Sequence, residues 1–138
     1  MKLVSIRIIT ADIKRLIAFY EHVTQTQLKQ YTEDFAELQT ATATLAIGNT
    51  NTLRFFGDNE IAKAAQNQAA IIEFNVANVD ADYERLANFL EPYLVQKPTT
   101  MPWGNRSLLF RDPDGNLVNF FTPVTAAAIN KFESNSDN

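Results

Sequence analysis

One pattern of residues is written into this sequence twice, and the repetition limits what the chain can become. Residues 3–9 alternate, with Val4, Ile6 and Ile8 on one side and Ser5, Arg7 and Ile9 on the other, which is the period of a half-buried strand. Asp12 then stands where a helix cap is wanted. Ile13, Leu16, Ile17 and Tyr20 follow at three- and four-residue spacing and give a helix one apolar stripe. That stripe is expected to cover the Val4, Ile6 and Ile8 side of the strand. Later, Ile71 to Val76 alternate again, Asn78 caps, and Val79, Tyr83, Leu86 and Leu90 form a second stripe. Laying Ile6 on Ile72 brings Ile8 onto Phe74, Asp12 onto Asn78, Ile13 onto Val79, Ile17 onto Tyr83 and Tyr20 onto Leu86. Such an internal duplication points to one supersecondary unit used twice.

The remaining β-prone runs complete the unit. In the first half they are 35–39, 42–47 and 52–56, separated by Gly48, Asn49 and Asn51. In the second half they fall around 94–97, 106–111 and 117–121, with Asp112-Pro113-Asp114-Gly115 supplying a tight hairpin between the last two. Each half reads β-α-β-β-β. The predicted fold class is α+β: two tandem β-α-β-β-β modules forming a curved mixed sheet around a concave cavity, because a helix on one face of each unit leaves the other face free. The modules span about residues 1–57 and 69–124 of a single domain over 1–125, joined by a polar linker over 58–68. Beyond Val124 the composition turns to Ala, Asn, Ser and Asp, so residues 126–138 are expected to be a polar, frayed tail with at most a short helix.

Composition removes several function classes. The 138 residues include 12 Lys and Arg against 16 Asp and Glu, a net charge of -4, which offers no basic footprint for a phosphate backbone. Nucleic acid is therefore not an expected partner. There is no Cys, which removes disulfides, thiolate catalysis and zinc-thiolate sites together and fits a reducing compartment, so a cytoplasmic location is expected. Arg7 interrupts the first apolar run, and no apolar segment is long enough to span a bilayer, so neither a signal peptide nor a membrane partner is expected.

Certain stretches are more specific. Pro102-Trp103-Gly104-Asn105-Arg106, followed by Phe110-Arg111-Asp112-Pro113-Asp114-Gly115-Asn116-Leu117, resembles the closing motif of the bleomycin-resistance-like branch of the glyoxalase, bleomycin-resistance and extradiol-dioxygenase superfamily, also called vicinal oxygen chelate proteins. Ala18-Phe19-Tyr20 is similar to the end of that family's first helix, and Ala36-Glu37-Leu38 with Leu45-Ala46-Ile47 resembles its second and third strands. The likeness covers residues 3–124. One departure is the Leu-Gly that usually follows the first helix, which is Thr24-Gln25 here.

The resemblance implies where a metal would be held. Metalloenzymes of this family place a His on the first strand of one or both units and a Glu near the end of the last strands. The positions that match here are Ser5, Ile71 and Asn119, and Leu53-Arg54-Phe55 is taken as the corresponding stretch of the first unit, again without a carboxylate. Ser, Ile and a neutral amide supply neither the charge nor the basicity that a divalent ion needs. The expected set is thus no metal, no cofactor and no catalytic residue. The one His, His22, lies near the end of the first helix and reads as a solvated side chain. Glu37 and Glu73 are the carboxylates nearest the expected cavity.

The candidate ligand-binding residues are Ser5, Arg7, Glu73, Trp103, Arg106 and Asn119. Arg7 and Glu73 are duplicate positions, and an ion pair between them is expected. Trp103 sits in a Pro- and Gly-flanked loop where an indole either anchors the loop or stacks on a flat ligand. Arg106 offers a bidentate fork for a carboxylate or phosphate, though a solvated flank is its ordinary role. Asn119 can donate and accept. The expected function is metal-independent binding of a small, aromatic or partly cationic ligand, and the resemblance implies a homodimer. The alternative is a divergent glyoxalase-like lyase or related enzyme using Glu37 or Glu73, and a third is a subunit that kept the fold and lost the site.

Overall fold

The computed structural model describes residues 1–57 and 60–136; Asp58 and Asn59 of the expected linker and Asp137 and Asn138 of the expected tail lie outside the described residues. The chain divides into two compact units, Met1–Gln68 with Pro113–Gly115, and Ala69–Asp112 with Asn116–Asn138.

In the first unit, β1 (Ser5–Thr10) is followed by α1 (Ile13–Thr24), β2 (Lys29–Thr32), β3 (Phe35–Gln39) and β4 (Thr44–Asn49), in the sheet order β1-β4-β3-β2. β1 runs parallel to β4, and the other neighbours are antiparallel. The Asp12 side chain accepts from the Arg15 N–H at 3.2 Å, the cap the sequence suggests. α1 buries Ile13, Leu16, Phe19, Tyr20 and Val23, and Ile8, Ala36, Leu38, Leu45 and Ile47 are buried with them. At its far end Gln25 adopts φ 53°, the left-handed conformation that Gly ordinarily supplies at this point.

The second unit repeats the plan with β5 (Ile71–Asn75), α2 (Val79–Leu90), β6 (Leu94–Thr100), β7 (Asn105–Arg111) and β8 (Leu117–Pro123), in the order β5-β8-β7-β6. The Asn78 side chain caps α2 through the Ala81 N–H at 3.1 Å. Thr122 fastens the helix start to β8, its hydroxyl accepting from Val79 N–H at 3.0 Å and donating to the Val76 carbonyl at 2.8 Å. The core here is aromatic: Phe120 meets Phe74 and Phe110 edge-on at centroid distances of 5.4 and 5.1 Å. The turn between β7 and β8 is built as expected, with Gly115 at φ 86° and the buried Asp112 carboxylate accepting from the backbone and side chain of Asn116 at 3.0 and 2.7 Å.

Both units are β-α-β-β-β, as the duplication predicts, but some expectations are corrected. Residues 52–56 are not a strand: Thr50–Phe56 form a 3-10 helix that Asn49 caps through the Asn51 N–H. The missing strand is β2, whose four residues are all exposed and so carry no apolar alternation for a sequence pattern to reveal. Of the Val4, Ile6 and Ile8 side only Ile8 is buried, while Val4 and Ile6 remain 68% and 59% exposed. The expected frayed tail contains an 11-residue helix, α3 (Ala126–Ser136). Its Ala-rich start favours helix, Ala128 is buried, and Phe132 meets the Phe121 ring of β8 at 5.1 Å. Among the described residues no helix is long and apolar enough to cross a membrane.

Candidate functional site

Because successive residues of a strand point to opposite faces, the covered and uncovered sides of each sheet can be read directly from the register. In the second unit Phe74, Phe110, Val118 and Phe120 belong to the α2 side. Glu73, Asn119 and Phe121 share the other side, and Glu73 stands opposite Asn119 in the parallel β5–β8 ladder. The Asn119 amide donates through Nδ2 to Glu73 Oε2 at 2.9 Å. This contact fixes which end of the amide is which, since Oδ1 turned toward the carboxylate would be repelled. Asn119 is 9% exposed, and its Oδ1 is buried with no hydrogen-bond partner among the described residues. Two acceptors, Oδ1 and the Glu73 carboxylate, therefore stand side by side, and a buried acceptor left unpaired costs about 1–3 kcal/mol until a donor reaches it.

The register also corrects the counterpart of Asn119. Arg7 pairs with Ala46 in β1–β4 just as Glu73 pairs with Asn119, so the matching position in the first unit is Ala46 and not the Leu53-Arg54-Phe55 stretch, which is the 3-10 helix. A methyl group is no better a metal ligand than the residues first considered. Ser5 is exposed at the start of β1 opposite Thr44, and Ile71 is 52% exposed opposite Leu117. No group of three or more His, Asp or Glu side chains is gathered among the described residues. None of the matching positions, Ser5, Ala46, Ile71 and Asn119, supplies a carboxylate or an imidazole, and one neutral amide oxygen at Asn119 brings no charge, so these residues do not fit the divalent ion of the family's metalloenzymes.

The expected Arg7–Glu73 pair would join one unit to the other; within its own unit each residue has other partners. Arg7 lies on the uncovered face of the first sheet with its guanidinium carbon 4.8 Å from the Phe35 ring centre and 5.8 Å from that of Phe56. Glu37, on the same face opposite Ala46 and Lys29, accepts from Gln39 Nε2 at 3.1 Å, and Gln39 also donates to Tyr31 Oη at 3.1 Å.

Arg106 stands apart. In β7 it alternates with Leu108 and Phe110 toward α2, and its Nε donates to both carboxylate oxygens of Asp80 at 3.1 and 2.9 Å, with Nη1 on the Thr100 hydroxyl at 3.3 Å. The hydrogen bond to Asp80, aided by the carboxylate's charge and opposed by desolvation, raises the Arg106 pKa, so the fork that the sequence offers to a ligand serves the start of α2. Trp103 is 67% exposed, so most of its ring is uncovered within this chain. The loop that carries it is anchored through Gly104, at φ 95°, whose carbonyl accepts from Val124 and whose N–H donates to Met101. His22 is exposed in the last turn of α1, as read.

Three signals were absent from the sequence reading: the orphaned Asn119 Oδ1, the Arg7 stacking on two rings, and α3 over Phe121. The first is visible in the alternation of β8 once its register with β5 is known; the others depend on the 3-10 helix and the C-terminal helix, which the sequence pattern did not give.

Comparison with known proteins agrees with this architecture. Residues 2–120 match the family described as the Glyoxalase/Bleomycin resistance protein/Dioxygenase superfamily. A glyoxalase/bleomycin resistance protein/dioxygenase from Nocardioides is similar in structure, with a TM-score of 0.72 and 19% identity over 91% of this chain and 85% of that one. A glyoxalase/bleomycin resistance protein/dioxygenase family enzyme from Burkholderia phytofirmans PsJN gives a TM-score of 0.74 at 16% identity, covering 87% and 97%. A protein of unknown function from Agrobacterium tumefaciens str. C58 gives 0.75 at 23% identity, covering 88% and 94%. At these identities the likeness is one of fold. No curated protein matches the sequence significantly.

Proposed function

Since this chain belongs to the glyoxalase/bleomycin resistance protein/dioxygenase superfamily, we propose that it is a metal-independent small-molecule binding protein of the bleomycin-resistance-like kind. The observation that carries this reading is the Asn119 Oδ1 atom, buried and unpartnered beside the Glu73 carboxylate. A position that in the family's metalloenzymes supplies a carboxylate to a metal here offers a neutral acceptor, so the group it suits is an N–H or O–H donor. A cationic donor gains most, because it also meets the charge of Glu73. The exposed Trp103 indole supplies a face for a flat or cationic part of such a ligand.

A homodimer is part of the proposal. It is supported by the apolar Leu3 and Val4 just before β1 and Ile6 within it, which are 88%, 68% and 59% exposed, β1 being an edge strand of its sheet. Catalysis is not part of it: no nucleophile paired with a base stands among the residues described above.

The test is Trp103 fluorescence of the purified chain, titrated with bleomycin and a panel of cationic aromatic amines, with metal analysis of the same sample. Saturable quenching without metal, lost in Glu73→Ala, is the expected result. Stoichiometric tightly bound metal with no quenching overturns the proposal in favour of a lyase or related enzyme.

A further inference from the structure

The uncovered face of the first sheet carries a cation, Arg7. Arg7 has no ion pair or hydrogen bond from its side chain among the described residues, unlike Arg85 on Asp82 and Arg106 on Asp80. Its side chain nevertheless has a defined path. Gly48 stands two pairs along from Ala46 in β4, on the same face, and a Cβ placed there would come within 3.2 Å of Arg7 Cδ, so the absence of a side chain at 48 leaves room for the Arg7 stem to cross β4. The stem thereby slants toward Phe35, the residue opposite Gly48, and away from the row that holds Glu37. Phe35 and Phe56 then hold the guanidinium at 4.8 and 5.8 Å. Rings hold a guanidinium through its flat face, which leaves the N–H groups around its edge free, and that edge is the fork that matches a carboxylate. Of the two rings, Phe56 is 60% exposed and Phe35 half-buried. Large rings left in water next to an unpaired cation suit a ligand that is itself part anion and part apolar surface.

We propose that Arg7, Phe35 and Phe56 form a binding site for a carboxylate carried on a flat apolar body. Arg7 takes the carboxylate in a bidentate pair, and the exposed rings take the body. The site rests on the first unit alone, and it stands or falls independently of the donor-seeking pair at Glu73 and Asn119.

The experiment follows the Arg7 side-chain Nε–H signal by NMR in the full chain during titration with benzoate at fixed ionic strength, with chloride and inorganic phosphate as parallel probes. A saturable shift with benzoate is expected. Followed through neighbouring backbone amides, which the substitutions leave in place, benzoate binding is lost in Arg7→Gln and is weaker by roughly fivefold to tenfold in Arg7→Lys, which keeps the charge and loses the fork, and in Phe56→Leu, which keeps the fork and loses a ring. An equal response to chloride, or unchanged benzoate binding in Arg7→Gln followed through neighbouring backbone amides, overturns the site. Phosphate binding as tightly as benzoate overturns the assignment to an apolar carboxylate. Repeating the benzoate titration in Glu73→Ala separates the two readings: a retained response means that any failure of amine binding belongs to the Glu73 pair and not to Arg7.

Discussion

The two units carry the same strands in the same register and differ most on the sheet faces that α1 and α2 leave uncovered. On the helix side, Ile8, Leu45 and Ile47 of the first unit correspond to Phe74, Val118 and Phe120 of the second, and every position stays apolar. On the uncovered side, Arg7 corresponds to Glu73, Ala46 to Asn119 and Gly48 to Phe121, and every position changes chemical type. The reason is physical. An amphipathic helix has to bury its stripe against something apolar, so the side it covers has little chemical freedom, whereas the opposite side is free to differ. One unit thereby presents a stacked cation over a bare glycine, and the other a pair of acceptors next to a phenylalanine that α3 covers.

Substitutions can break this contrast in order of size. Phe120→Ala removes the ring that Phe74 and Phe110 both meet, and is expected to lower stability by about 3–5 kcal/mol in urea unfolding. A smaller loss would mean that the aromatic core repacks and that the covered sides differ less than their residues suggest. Asn119→Ala takes one hydrogen bond from Glu73, which is exposed and can turn to water, and is expected to cost about 1 kcal/mol, while Arg7→Leu, at an exposed position without an ion pair, stays within about 0.5 kcal/mol. Equal costs would mean that the two faces are bound into the fold alike. Gly48→Ala pushes on Arg7 Cδ and Thr52 Oγ1, both 3.2 Å from the added carbon, and is expected to cost about 1 kcal/mol and to weaken any benzoate response. Smallest is the pair of helix ends. Gln25→Gly relieves a left-handed φ of 53° and should raise stability by up to about 1 kcal/mol, whereas Glu91→Gly, at a right-handed position with φ -46°, should gain nothing.

The duplication, the two capped helices and the strands next to them were legible because burial on one side imposes a period on the residues. β2 was illegible for the converse reason, as Lys29, Gln30, Tyr31 and Thr32 are all exposed and impose none. The run Leu53-Arg54-Phe55-Phe56 looks like a strand by propensity, yet the Asn49 cap turns it into a 3-10 helix, a local hydrogen bond overriding the residues' preference. In the candidate site, Glu73 and Asn119 could be found by alternation and by the family motif. Arg106 was drawn in by its place in that motif, and only the strand's parity shows that it faces Asp80. Phe132 gave no warning, since a single aromatic in a polar segment has no periodicity to announce what it packs against.

In each sheet the strand that comes last in the sequence lies inside, β4 between β1 and β3, and β8 between β5 and β7. While the chain is being made, β1 therefore waits without a neighbour until Thr44–Asn49 emerge, and β5 waits for Leu117–Pro123. The β3 and β7 hairpin partners have to open or hold a place for the late arrival, a non-local step that is slow and leaves strand edges bare meanwhile. A nascent chain stalled before β8 would expose Ile71 and Phe74 along an unpaired strand, which makes this the stage of synthesis at which chaperones would find most to hold.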